Sequence, residues 1–435
     1  MGPKPRTSAI VCQNAGMRPH LDLRSHLGPL LVLAIVATGC GTAPRSASPS
    51  APTETAATDT TPAAETDQAT FAAIERQVEA LRGLDPTATV TPVLLDSTGL
   101  RDKLTSLNAA QTNHVAMAGE SRLFVDLGLL PAGSSLEQME LDLDAGQVIG
   151  FYDPVSKGLY VLSTSGAVGP IEKVTFSHEY THALQYQNFG LDKLATDTAD
   201  QGDRDLARTA LPEGDATLIM TDWETQNLSV PDLLALALDP SSAAQTQQLD
   251  AAPAILRQSL MFPYEAGLAF VQGVYNRGGW AAVNELYAAP PDSTSQILHP
   301  ELYDAGVKPV SLTVPAVPAA LGSGWKQTMQ DTLGELQLRV WLEGEHPDGA
   351  AQSAAASATS EWGGDRVALY EGPSGAWAVT LRTTWRSSAG ATAFAADATR
   401  RAAGLGHKSR VCAKASDVEV YLASSAAALA AIETC

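Results

Sequence analysis

The sequence predicts an α+β fold, and three observations carry that prediction. Apolar residues recur at helical spacing at Phe71, Ile74, Val78 and Leu81, with Gly83 as a stop. Two β-rich runs in "VIGFYDPVSKGLYVLS", Val148 to Ser163, flank a turn that holds Asp153, Pro154 and Gly158, which is the pattern of a hairpin. Far downstream, "RVALYEG" and "WAVTLRTTW" alternate like two strands around "PSG". A chain of 435 residues with 45% hydrophobic content can bury at least one substantial core and divide into two or three compact units.

The first element is an export signal. Arg18 and Arg24 precede an apolar run from Leu27 to Val36, too short to span a bilayer, so residues 1–39 read as a signal peptide. The run ends in "ATGC", which resembles the lipobox of bacterial lipoproteins, with Ala where Leu is usual; the resemblance implies that Cys40 is lipidated and begins the mature chain. Ordinary cleavage and free secretion is the alternative. Residues 40–66 are Ser, Thr, Ala and Pro with almost no large apolar side chain, so they cannot bury a core and form a tether from the membrane.

The whole chain has a formal charge of −20. Without residues 1–39, which hold four basic and one acidic group, it is −23. Such a surface repels phosphate backbones and no basic stripe offsets it, so nucleic acid is not an expected partner. Beyond Cys12 and Cys40 only Cys412 and Cys435 remain, an even pair that in an oxidising compartment reads as a disulfide.

After the tether, residues 67–135 read as an N-terminal helical unit, with a second helical stretch from Leu100 to Leu127. The hairpin then opens a middle domain, residues 136–345. Pro170 can occupy the first turn of a helix that runs to about Phe189, where Gly190 offers a stop. Met261 to Tyr287 is helical with a break at Gly278 and Gly279, and its aromatics are core. Low complexity marks residues 346–360 as a linker. Residues 361–435 form a small α+β module of two strands, an Ala-rich helix, a strand at Val418 to Leu422 and a last helix; "WGGD", Trp362 to Asp365, reads as a turn.

The chemistry concentrates in "VTFSHEYTHALQYQNFG", Val174 to Gly190. On a helix His178 and His182 point the same way one turn apart, so both imidazoles can reach one metal ion. Glu179 lies about 100° further round, close enough to hold a water on that metal without ligating it. Two core histidines bonded to backbone carbonyls would be the structural alternative, but a buried helix pays in desolvation for three ionisable groups. A catalytic zinc site needs a third protein ligand and an open position. Gln185 and Asn188 stand where a metzincin needs Gly and His, which excludes that branch. Downstream, "LPEGDATLIMTDWE" places Glu213 in an apolar setting and makes it the third ligand; Asp215 and Glu224 are its rivals, Glu224 in a polar run that looks solvated.

"HEYTH" followed by "EGDA" resembles the gluzincin clan of zinc metallopeptidases, over roughly residues 145 to 305. The resemblance implies a zincin-like domain with Zn2+ on His178, His182 and Glu213 and with Glu179 as general base. Thr217 stands where many members of that clan carry an acidic residue that orients the first His. An oxyanion donor remains open among His299, Tyr264 and Tyr303. The hairpin would supply an edge strand for an extended peptide. The expected function is that of a lipid-anchored zinc metallopeptidase, hydrolysing peptides or proteins on the outer side of the cytoplasmic membrane. A zincin-like envelope module that binds without catalysis is the competing class, which has no reason to keep Glu179.

Overall fold

A computed structural model describes residues 63–108, 113–194, 200–316 and 319–435. The signal segment, Cys40 and nearly all of the tether lie outside the described residues. In chain order the first elements are α1 (Ala63–Arg82), β1 (Thr91–Leu95), α2 (Ser97–Asn108), α3 (His114–Asp126) and α4 (Leu136–Gln147). Next come the hairpin β2 (Gly150–Asp153) and β3 (Gly158–Leu162), then α5 (Pro170–Phe189), α6 (Gly202–Asn227), α7 (Val230–Ala237) and α8 (Pro240–Ala251). The long α9 (Ala254–Ala288) follows, kinked at Gly279, with the short α10 (Thr294–Leu298) and α11 (Pro300–Asp304) after it.

The hairpin belongs to a three-stranded sheet of order β1-β3-β2, with β1 parallel and β2 antiparallel to β3. A strand therefore lies inside the stretch read as a helical unit, and "TPVLL" is too short to show a period against its helical neighbours. Nor does that unit stand apart. Phe71 of α1 packs on Phe176 of α5 with ring centroids 4.4 Å apart, and Ile74 and Val78 share their core with Val174 and Tyr180. The stretch from Leu100 to Leu127 is two helices, because Asn113 accepts from the Ala116 N–H and starts α3 afresh. Helix α3 then joins a different core: Met117, Leu123 and Phe124 pack with Trp341, Trp362 and Phe394.

The rest of the chain builds that second core from β4 (Lys326–Asp331), α12 (Gly334–Glu343), α13 (Gly349–Thr359), β5 (Trp362–Glu371), β6 (Trp377–Trp385), α14 (Ser388–Gly404), β7 (Lys408–Lys414), β8 (Asp417–Ala423) and α15 (Ala426–Ile432). Its antiparallel sheet has the order β4-β5-β6-β8-β7. Phe394 of α14 stacks on Trp385 on one face, and Tyr370 and Tyr421 pack with α15 on the other. The segment expected to be a linker is helix α13: its alanines are strong helix formers, and Asp348 caps it by accepting from the Ala351 N–H. Trp362 to Asp365 begins β5 at a bulge rather than forming a turn. Cys412 and Cys435 are joined as a disulfide, with Cα atoms 6.0 Å apart. Among the described residues no helix is long and apolar enough to cross a membrane.

Candidate metal centre

Helix α5 starts and stops where its sequence dictates. Pro170 occupies its first turn, the Glu172 carboxylate accepts from the Gly169 N–H at 2.9 Å, and Gly190 ends it in the left-handed conformation. Every residue from Val174 to Gln185 is buried, so the helix is enclosed all round. Its polar groups at 178, 179, 182 and 185 must therefore find partners inside the protein.

Helix α6 supplies partners for His178, His182 and Gln185, and the segment "PEGDA" divides the work residue by residue. Glu213 faces α5. Gly214 lets α9 cross at backbone contact: a Cβ there would lie 2.3 Å from the carbonyl of Gly267, and one on Gly267 would lie 2.3 Å from the carbonyl oxygen of Ala210. Asp215 accepts from Arg82 Nε and Nη2 at 2.8 and 3.0 Å and from the Tyr287 hydroxyl at 2.6 Å. That guanidinium is fully buried and stacks over Trp280 at 4.4 Å, so α1, α6 and α9 are tied together two residues beyond Glu213.

His178 Nε2, His182 Nε2 and the Glu213 carboxylate converge. The two nitrogens are 3.0 Å apart, and each faces one carboxylate oxygen, at 3.2 Å for His178 and 3.4 Å for His182. An ion held by bonds of about 2.0–2.1 Å in tetrahedral geometry needs ligand atoms about 3.3 Å from one another, and each of these three separations is close to that spacing. The three residues form a set able to hold a metal ion, and all are buried. One carboxylate charge can hold one imidazolium. Although burial works against it, Glu213 holds the His182 ring above its ordinary range; burial and the charge on His182 together press His178 below its own. Against burial, the two rings hold Glu213 well below the usual carboxylate range.

Burial pushes Glu179 up to about 8, against the charge on His182 and a smaller lowering from the nearby Tyr152 backbone of β2. Strand β2 is the edge of its sheet, as expected, but all four of its residues are buried. The edge is thus covered rather than open to an extended chain. Of the three oxyanion candidates only Tyr264 stands beside the ligands, its ring 6.2 Å from that of His178. His299 Nε2 pairs with Glu335 at 2.8 Å, and the Tyr303 hydroxyl donates to the Ala289 carbonyl at 2.6 Å. The rival ligands fall away likewise: Asp215 is engaged by Arg82, and Glu224 lies three turns along α6 from Glu213, about 16 Å by helical rise. Glu224 is half-buried rather than solvated, and burial raises its carboxyl to about 7.

Gln185 was legible only as a departure from the metzincin spacing. In the fold its Oε1 lies 2.9 Å from His182 Nδ1, and its Nε2 donates to the Pro212 carbonyl at 3.0 Å. The available signal was a polar residue three positions after His182 on an enclosed helix, which must bond something. Arg82 and Tyr287 gave no signal, since their partner is remote in sequence. Thr217 Oγ1 and His178 Nδ1 are both buried without partners among the described residues.

Two cavities flank the hairpin of α7 and α8, and both touch Leu236 and Gln245. One, of about 650 Å3, lies between α2, α4 and the first turn of α5; the other, of about 530 Å3, reaches Met261 and Phe262 of α9.

Residues 323–431, a quarter of the chain, match a family described as a domain of unknown function (DUF8575). The match starts just before β4 and ends within α15, so it follows the five-stranded sheet and leaves the metal centre outside it. No curated protein matches the chain. Among solved structures, a Chloroflexus aurantiacus protein of novel fold, provisionally called a hydrolase, is similar at 18% identity with a TM-score of 0.34, over 56% of this chain and 89% of that one. A likeness of that size carries no argument about fold or reaction.

Proposed function

We propose that the chain is a zinc-dependent peptide hydrolase of the gluzincin type, carried as a lipoprotein on the outer side of the membrane through Cys40. The observation that supports it is the convergence of the His178 and His182 Nε2 atoms, 3.0 Å apart, on the Glu213 carboxylate, whose two oxygens lie 3.2 and 3.4 Å from them, with Glu179 next to His178 on the same helix. Zinc, when bound, lowers the pKa of a coordinated water and polarises a carbonyl. His178, His182 and Glu213 would hold it, and their two neutral rings and one carboxylate are a donor set that zinc takes in catalytic sites.

The remaining work belongs to the protein. Glu179, one residue after His178 on the same enclosed helix, suits the taking of a proton from water and its delivery to the leaving amine. Tyr264 is the candidate donor to the developing oxyanion. The enclosing helices exclude bulk water from both.

The test separates base from ligand. Glu179→Gln should fold, keep its zinc and lose about 10²- to 10⁴-fold in hydrolysis of an unfolded protein. Glu213→Gln should lose zinc affinity itself. Zinc content and hydrolysis measured on both variants decide: an active Glu179→Gln together with a zinc-replete Glu213→Gln ends this assignment.

A further inference from the structure

The Gln185 side chain is fully buried between α5 and α6, and its orientation follows from its partners. The Pro212 carbonyl can only accept, so the amide nitrogen must face it, as it does at 3.0 Å. The amide oxygen is then left facing His182 Nδ1 at 2.9 Å. An oxygen of this kind can only accept, so Nδ1 carries a hydrogen. In a neutral ring the lone pair then sits on Nε2, the atom that faces His178 Nε2 and the Glu213 carboxylate. The same amide is bonded one residue before Glu213, on the backbone that carries the third ligand. His178 has no such support, since its Nδ1 meets no partner among the described residues.

We propose that Gln185 is a positioning residue for the metal centre: its amide fixes the His182 ring with Nε2 bare toward the ion and locks that ring to the backbone beside Glu213. This rests on the metal reading above. It makes the two histidines unequal, with His182 held through its outer nitrogen before any ion arrives and His178 held there by no outer partner among the described residues. Outer partners of metal-bound histidines are commonly carboxylates or backbone carbonyls; here a carboxamide does the same work and adds the tie to a second helix.

Gln185→Met keeps the length and volume and removes both hydrogen bonds, whereas Gln185→Glu keeps the acceptor. Zinc affinity measured by competition with a chromophoric chelator should fall 10- to 100-fold in the Met variant and by less in the Glu variant, which keeps the acceptor for His182 Nδ1 but loses the donor to Pro212. Nitrogen-15 spectra of the zinc-loaded wild-type protein should show His182 protonated at Nδ1 and bound through Nε2. A merely structural role would lower the thermal midpoint of the metal-free Met variant and leave its zinc affinity alone. Equal zinc affinity in wild type and Met variant, or His182 bound through Nδ1, overturns the proposal. If the Met variant does not fold, the Glu variant and the wild-type spectrum carry the decision. A wild-type chain that binds no zinc overturns the metal reading, and this proposal with it.

Discussion

Asp203 shows at the scale of one residue how this protein uses its buried carboxylates. It sits in the first turn of α6 and accepts from the N–H and the hydroxyl of Thr294, at 3.0 and 2.5 Å. Burial raises its carboxyl to about 7, with Asp365 and Glu335 adding like charge against the relief from Thr294. The folded chain therefore keeps a proton that the unfolded chain gives up near the ordinary value of 3.8. Between those two values the native state binds more protons, so stability falls as pH rises from about 4 to 7 and levels off above. Asp203→Asn keeps an acceptor for Thr294 and should flatten that fall by up to about 4 kcal/mol. Urea midpoints at pH 5 and pH 8 for both chains check this; an unchanged difference would show that the carboxyl is ionised throughout. How legible a residue was depended on how near its partners lie in sequence. His178 and His182 share one helix, so their spacing alone aims them together, and Glu213 stood out as a charge among apolar neighbours. Gln185 pairs with a carbonyl 27 residues away and Arg82 with a carboxylate 133 away, distances no local pattern encodes.

Among the elements, the crossing of α6 and α9 sets the position of Glu213. Gly214→Ala would put a methyl into the Gly267 backbone, which cannot yield as a side chain can. The expected result is a loss of about 1–3 kcal/mol from overpacking, together with weaker zinc binding because Glu213 moves with its helix. Thermal unfolding with and without zinc checks both parts, and an Ala variant with wild-type zinc affinity would mean that the crossing does not position the ligand. Helix α5 was readable to the residue because Pro170 and Gly190 punctuate it. Strands β4 and β7, "KQTMQD" and "KSRVCAK", were not: both are polar edges of the second sheet with little apolar alternation. The alanines of α13 read as low complexity because composition alone does not distinguish a linker from a capped helix.

The whole molecule is organised by its two sheets, and the expected divisions at 135 and 346–360 miss that organisation because α3 and β4 reach the second core from outside residues 361–435. Disulfide loss should be felt in this second core and not at the metal. Cys412→Ser with Cys435→Ser opens a loop of 23 residues and should cost about 3 kcal/mol of its stability at unchanged zinc content. Calorimetry paired with metal analysis checks it; a loss of zinc would show that the two cores unfold as one. The buried pair of Arg82 and Asp215 bears on time as well as stability. The metal ligands span only 35 residues, yet Arg82 is made 133 residues before the carboxylate that neutralises it, and Tyr287 follows that carboxylate by another 72. A growing chain can present both histidines and Glu213 while the frame that holds α6 does not yet exist. Closing contacts so far apart is slow. The finished candidate metal centre is therefore a late event in the history of each molecule, reached only after α9 has been synthesised, and an ion met earlier would find the candidate ligands without the frame that gathers them.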